Sequence, residues 1–170
     1  PTLPQVAPVV PVLHDRPFDD PAYLFEPMFD GLRGLLYLSG LTAAFRSRDG
    51  RELGRFAGLA QWVRQGLGRP EAIMDGEVVA LDEAGRPNFQ RLQQRGKLTR
   101  SLDIRRGMID NPVTFFAFDV LAVDEFDVRP LPLTSRKGVL DKLLPPAQVL
   151  ELAVAPVLAL ASATVSGSSG

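Results

Sequence analysis

Apolar and polar positions alternate along this chain in a way that changes period several times. Three apolar runs open the patterned region: AYLFEPM (22–28), LRGLLYL (32–38) and LTAAFRSR (41–48). Asp30-Gly31 and Ser39-Gly40 separate them, and Asp49-Gly50 closes the third. Glycine tolerates the positive φ of tight hairpin turns, so these pairs predict strands joined by hairpins. The period then lengthens. Phe56, Leu59, Ala60, Val63 and Leu67 recur at helical spacing in RFAGLAQWVRQGL, which predicts an amphipathic helix and leaves Trp62 off its stripe. EAIMDGEVVA reads as a strand with a glycine-marked irregularity, followed by a turn at residues 83–85. NFQRLQQRG predicts a short helix, and VTFFAFDVLAVD, rich in β-branched and aromatic residues, is the most strand-like segment. TSRKGVLDKLL predicts a last helix, capped by Thr134 and ended by Pro145.

Hairpins come first and helices are interspersed, without the regular strand–helix alternation of a doubly wound sheet, so the predicted class is α+β with antiparallel sheets and flanking helices. Residues 1–21 read as an extended, proline-punctuated arm, 22–144 as the folded unit, and 145–170 as a diverged, flexible tail without charge after Glu151.

Composition narrows the function classes. With 45% hydrophobic and 23% charged residues, 170 residues suffice for one domain with a real core. A formal net charge of −1 argues against coating nucleic acid by overall charge, although a local basic face remains open. The absence of cysteine excludes disulfides and thiolate metal sites. The one histidine, His14, lies in the arm and reads as solvated or capping. Prolines interrupt the apolar termini, so neither a signal peptide nor a membrane span is expected, and the reading is a soluble, cytoplasmic protein.

Four segments carry the chemistry: EPMFDGLRG (26–34), FRSRDGREL (45–53), MDGEVVALDEAGRPNFQRLQ (74–93) and FFAFDVLAVDEFDVRPLPLTSRKGVL (115–140). In this order and spacing, across roughly residues 14–144, the chain resembles the adenylation domain of ATP-dependent DNA ligases, especially the bacterial ligases of double-strand break repair. The resemblance implies an incomplete nucleotidyltransferase domain that takes ATP and Mg²⁺. Asp30, Gly31 and Arg33 fit the family's first motif, but Met28 stands where its lysine attacks the α-phosphorus of ATP. A thioether has no proton to lose and forms no stable link to phosphorus, so Met28 cannot do that chemistry. Lys97, Lys137 and Lys142 fall outside the motif and are poor stand-ins, because transfer demands in-line placement.

By the same resemblance Glu26 helps hold the adenine, Arg33 and Arg48 contact ribose or phosphate, and Glu77 reaches the ribose and a divalent metal. Phe118 stacks on the base, with Phe115 and Phe116 competing for that role. The family's later Glu-Gly-hydrophobic-Val and Lys-x-Lys motifs and its oligonucleotide-binding barrel are not found after residue 144. Finally, Arg86, Arg91, Arg95, Lys97, Arg100, Arg105 and Arg106 face the lone acid Asp103 in one stretch. Such a run is a solvated face or a track for a DNA backbone.

Three readings follow. The chain is a ligase-derived repair protein that does not self-adenylate; or a fragment or altered copy of an active ligase; or a non-catalytic module that binds nicked or broken DNA ends or repair proteins.

Overall fold

The computed structural model describes residues 3–4, 6–68 and 71–144, and the backbone of 158–160. Strand β1 (Leu32–Ser39) and strand β2 (Thr42–Arg46) form the expected hairpin, with Tyr37 opposite Ala44. Gly40 takes φ +55° in the turn, as does Gly50 at +81° in the next one. A 3₁₀ turn (Gly54–Phe56) leads into helix α1 (Ala57–Gly66). Strand β3 (Ala72–Ala80) then pairs antiparallel with β1, and strand β4 (Val113–Val123) with β3. Between those strands lie α2 (Phe89–Gly96), whose Asn88 side chain caps the Arg91 N–H, and α3 (Ser101–Asp110). Strand β5 (Phe126–Asp127), helix α4 (Leu133–Leu143) and strand β6 (Leu158–Leu160) complete the order.

The sheet runs β2-β1-β3-β4-β5, with β6 added parallel to β4. It is α+β and otherwise antiparallel, as expected. No helix among the described residues is long and apolar enough to cross a membrane.

Alternation along the strands gives the sheet two different faces. One packs Leu36, Phe45, Met74, Val78, Phe115 and Val120 against Phe56, Leu59 and Val63, Leu92 of α2 and Leu140 of α4. Trp62, unplaced by the pattern, is half-buried against this cluster. The other face carries a small patch of Leu35, Ile73, Leu121 and Ala122, on which Leu3 and Val6 of the arm rest. Beside that patch lie the polar residues described below.

Several expectations fail for physical reasons. Residues 22–28 form no strand: Pro27 lacks an N–H, and Tyr23, Leu24 and Phe25 stay exposed. Asp30-Gly31 is not a hairpin turn; it leads the chain into β1, with Gly31 close against β3. Thr134 does not cap α4, because Pro132 precedes the helix and its carbonyl takes the N–H of Ser135 and Arg136. Helix α3 has no sequence signal, since Leu102 and Ile109 are exposed and the apolar residues mark no face. The tail expected at 145–170 lies outside the described residues, save the backbone of 158–160.

Candidate functional site

Gly31 is where the loop meets the sheet. A Cβ there would stand 2.5 Å from the Val78 carbonyl oxygen and 2.7 Å from Cγ of Glu77, so only glycine lets the backbone approach this closely. Arg33, two residues on, points to the polar face. It grips Asp75 with a two-pronged bond, Nε to Oδ1 at 3.0 Å and Nη2 to Oδ2 at 2.7 Å. Its Nη2 also donates to the Val9 carbonyl of the arm at 2.7 Å. The bonds it donates to Asp75 raise the Arg33 pKa, and burial pushes the Asp75 carboxyl up while Arg33 pulls it back. A second fork lies alongside: Arg136 donates to Asp119 at 2.8 and 2.9 Å and to the Leu131 carbonyl at 2.6 Å.

Because Asp75 holds Arg33, Glu77 has no cation of its own. Burial first, then the charges of Asp75 and Asp30, raise its carboxyl to about 7, against the pull of Arg33 and the Gly31 amide. Glu77 lies across from Arg33 on β1 and from Phe116 on β4.

The pairing of β3 with β4 slips between Asp75 and Gly76: Asp75 faces Asp119 and Gly76 faces Ala117, so Phe118 is an extra, bulged residue. The bulge turns its ring toward the site, with the Arg33 guanidinium 5.7 Å above the ring centroid. The three phenylalanines take different places. Phe115 is buried edge-on to Phe45 at 4.9 Å, and Phe116 is stacked under Phe29 at 4.2 Å. Phe118 alone of the three lines the cavity.

That cavity, about 250 Å³, is bounded by Glu26, Pro27, Met28, Phe29, Arg33, Glu77 and Phe118. Met28 stands at its rim with 97% of its surface exposed. An adjoining cavity of about 300 Å³ shares Glu26, Arg33 and Phe118 and is roofed by Val9 and Pro11 of the arm. Asp30 is exposed at the edge. Arg48 is exposed in the turn after β2 and lines neither cavity. Among the described residues no three metal-ligating side chains cluster, so Glu77 would hold a cation only with help from a ligand's own oxygens.

Pairing across the chain brings in residues that the sequence alone does not single out. Asp75, Asp119 and Arg136 form the two forks. Lys137, far from the first motif in sequence, places its amine on the Glu26 carboxylate and the Phe118 carbonyl. Asp75 and Arg136-Lys137 lie inside the quoted motifs, but their separations of 42, 17 and 111 residues from their partners leave no signal in a single sequence.

The basic stretch divides. Arg95, expected in a DNA-facing run, is buried under α3 at 2% exposure, against Gly107, with Nε and Nη1 unpartnered. Arg91 is half-buried and bound to Glu83 and the Leu81 carbonyl, and Arg86 pairs with Asp82. Lys97, Arg100, Arg105 and Arg106 are exposed.

Residues 7–160 match the model of the ATP dependent DNA ligase domain. A DNA ligase of Natronomonas pharaonis is 36% identical over 121 residues, 70% of this chain and 22% of that protein. The bifunctional non-homologous end joining protein LigD of Bacillus subtilis is 31% identical over 82% of this chain and 24% of its own length. The chain thus spans about a quarter of the curated relatives it matches. Among solved structures, mycobacterial DNA ligase D complexed with ATP and MES superposes with a TM-score of 0.60 at 28% identity, covering 82% of this chain and 39% of that one. The ligase domain of M. tuberculosis LigD gives 0.57 at 30% identity, over 71% and 36%. Fold, motif order and these matches agree, and the chain belongs to the ATP-dependent DNA ligase domain family.

Proposed function

We propose that this chain carries the nucleotide pocket of a DNA-repair ligase and holds an adenine nucleotide there without becoming adenylated at residue 28. The observation that supports this most is the convergence of Glu26, Arg33, Glu77 and Phe118 on one cavity with Met28 at its rim. An aromatic ring suits a base face, a guanidinium suits ribose or phosphate oxygens, and a carboxylate without a cation suits a hydroxyl or a metal ion. Glu77 would hold Mg²⁺ with help from a nucleotide's phosphates, and the ion would supply charge neutralisation there. Residues 22–144 are the nucleotide-binding unit in this reading, with 1–21 an arm laid on it and 145–170 a tail. Arg48 takes part only through a DNA or phosphate contact away from the cavity.

Nicked or broken DNA ends are the substrate class, met by the exposed Lys97, Arg100, Arg105 and Arg106, and repair proteins are the fitting partners in the cytoplasm. The covalent step fails for a chemical reason: forming a phosphoramidate and expelling pyrophosphate needs an amine lone pair at residue 28, and a thioether supplies none.

A second reading, a fragment or altered copy of a working ligase, draws on the same geometry, because Arg33 of the first motif lines the cavity that has Met28 at its rim. Transfer of label from α-labelled ATP with Mg²⁺ to the chain and to its Met28→Lys variant tests both. The expected result is no label on the chain and covalent label on the variant. Label on the unaltered chain would overturn the proposal. A variant that binds ATP but does not label would overturn the second reading, leaving a pure binding module.

A further inference from the structure

The bulge that presents Phe118 has a cost: a bulged residue loses its place in the ladder, and its carbonyl needs another donor. Lys137 of α4 supplies that donor. Its amine bonds the Phe118 carbonyl and the Glu26 carboxylate together, and its side chain is 13% exposed. Glu26 belongs to the loop that carries Met28, whereas Phe118 belongs to β4. One ammonium group therefore joins the two walls of the cavity, and no other described bond ties the Glu26 side chain to the fold.

Phe29 stacked on Phe116 fastens the same loop three residues further on, but through apolar contact that sets no orientation for a carboxylate. α4 itself is held independently, by the Arg136–Asp119 fork and by Leu140 in the core. Lys137 is thus free of any duty in folding the helix, and it projects from a rigid element, as a positioning group should.

We propose that Lys137 is a positioning residue of the nucleotide pocket, locking the bulged Phe118 and the Glu26 carboxylate into the arrangement that receives a base. The proposal rests on the nucleotide reading of the cavity. Lys137 is not a replacement nucleophile: its amine is engaged by the Glu26 carboxylate and the Phe118 carbonyl, and it lies on α4 rather than in the first motif.

The test compares the chain with Lys137→Met, which keeps the stem and removes the donor, and Lys137→Arg, which keeps a cation. Equilibrium binding of ATP, AMP and tripolyphosphate is measured beside amide hydrogen exchange. In Lys137→Met, ATP and AMP affinity should fall about ten- to a hundredfold, the scale of a misplaced binding group, with tripolyphosphate unchanged. Glu26→Gln should lose a similar factor, and the double variant should lose no more than the worse single one. Lys137→Arg should recover most of the loss.

Exchange should quicken in segments 24–29 and 116–120 of Lys137→Met and stay as before in β1 and α1. Unchanged exchange in those two segments, or uniform loosening of the whole fold, would overturn the proposal. Should the unaltered chain bind no nucleotide, the nucleotide reading fails by that result alone, and the exchange pattern still decides whether Lys137 pins the two walls.

Discussion

On one face of the sheet Leu36, Phe45, Val78 and Phe115 meet the helices as an apolar layer; on the other, carried by alternate residues of the same strands, Arg33, Asp75, Glu77 and Phe118 meet a loop and an arm. The first face is held by area removed from water and by tight packing, so it is stable and chemically mute. The second is held by charge pairs whose desolvation offsets much of their attraction, which contributes little stability but leaves directional groups where a ligand can reach them. The two meet at Gly76, whose missing Cβ would stand 2.4 Å from the Phe115 ring and 2.4 Å from the Phe116 carbonyl oxygen.

The largest effect belongs to the apolar face. Phe115→Ala should destabilise the chain by about 3–5 kcal/mol, seen as a lower denaturation midpoint with an unchanged slope. A loss under about 1 kcal/mol would mean that the layer is not the core. Asp75→Asn acts on the polar face. It leaves Arg33 half-buried with a weaker acceptor and should cost about 2 kcal/mol in the same measurement. Its greater consequence should be loss of nucleotide affinity, since Arg33 would be free to leave its place over Phe118.

A smaller effect separates the faces by pH. The Glu77 carboxyl is raised to about 7 in the fold, so the unfolded chain gives up that proton at lower pH than the folded one. Folded protein then binds more protons between roughly pH 4.5 and 7, and this group's contribution to stability falls as pH rises through that window. Glu77→Gln should therefore raise the melting temperature at pH 8 and change it little at pH 4. An equal change at both would mean that the fold leaves the Glu77 carboxyl unshifted.

The smallest expected effect on stability is that of Arg105→Ala with Arg106→Ala, within about 0.5 kcal/mol, because both are exposed on α3. Retention on nicked DNA should nevertheless weaken, and its salt dependence should become shallower by about one unit for each phosphate no longer neutralised. Full retention would move the DNA interface elsewhere.

The apolar face was readable from sequence because its signal is periodic: β1, α1, β3 and β4 lie where alternation and helical spacing put them. The polar face was readable only in its types. The motif around Met28 named Glu26, Asp30, Gly31 and Arg33, and two later segments named Glu77 and Phe118, yet nothing in the order of residues told Phe118 from Phe115 and Phe116. A one-residue bulge made that choice, by shifting which side chain faces the site. Arg95 was misplaced for the opposite reason: a charge run is read as solvent-facing, whereas here it lies beneath α3, a helix without a periodic apolar face. Lys137 lay beyond reach because its partner Glu26 is 111 residues away.

The central claim is that the polar face still receives an adenine nucleotide although residue 28 has lost its amine. Equilibrium titration of the unaltered chain with ATP and Mg²⁺, beside Phe118→Ala and the Arg105→Ala, Arg106→Ala pair, tests it most directly. The account predicts saturable binding that Phe118→Ala abolishes and the arginine pair leaves intact. Binding that survives Phe118→Ala, or no binding by the unaltered chain, would contradict it.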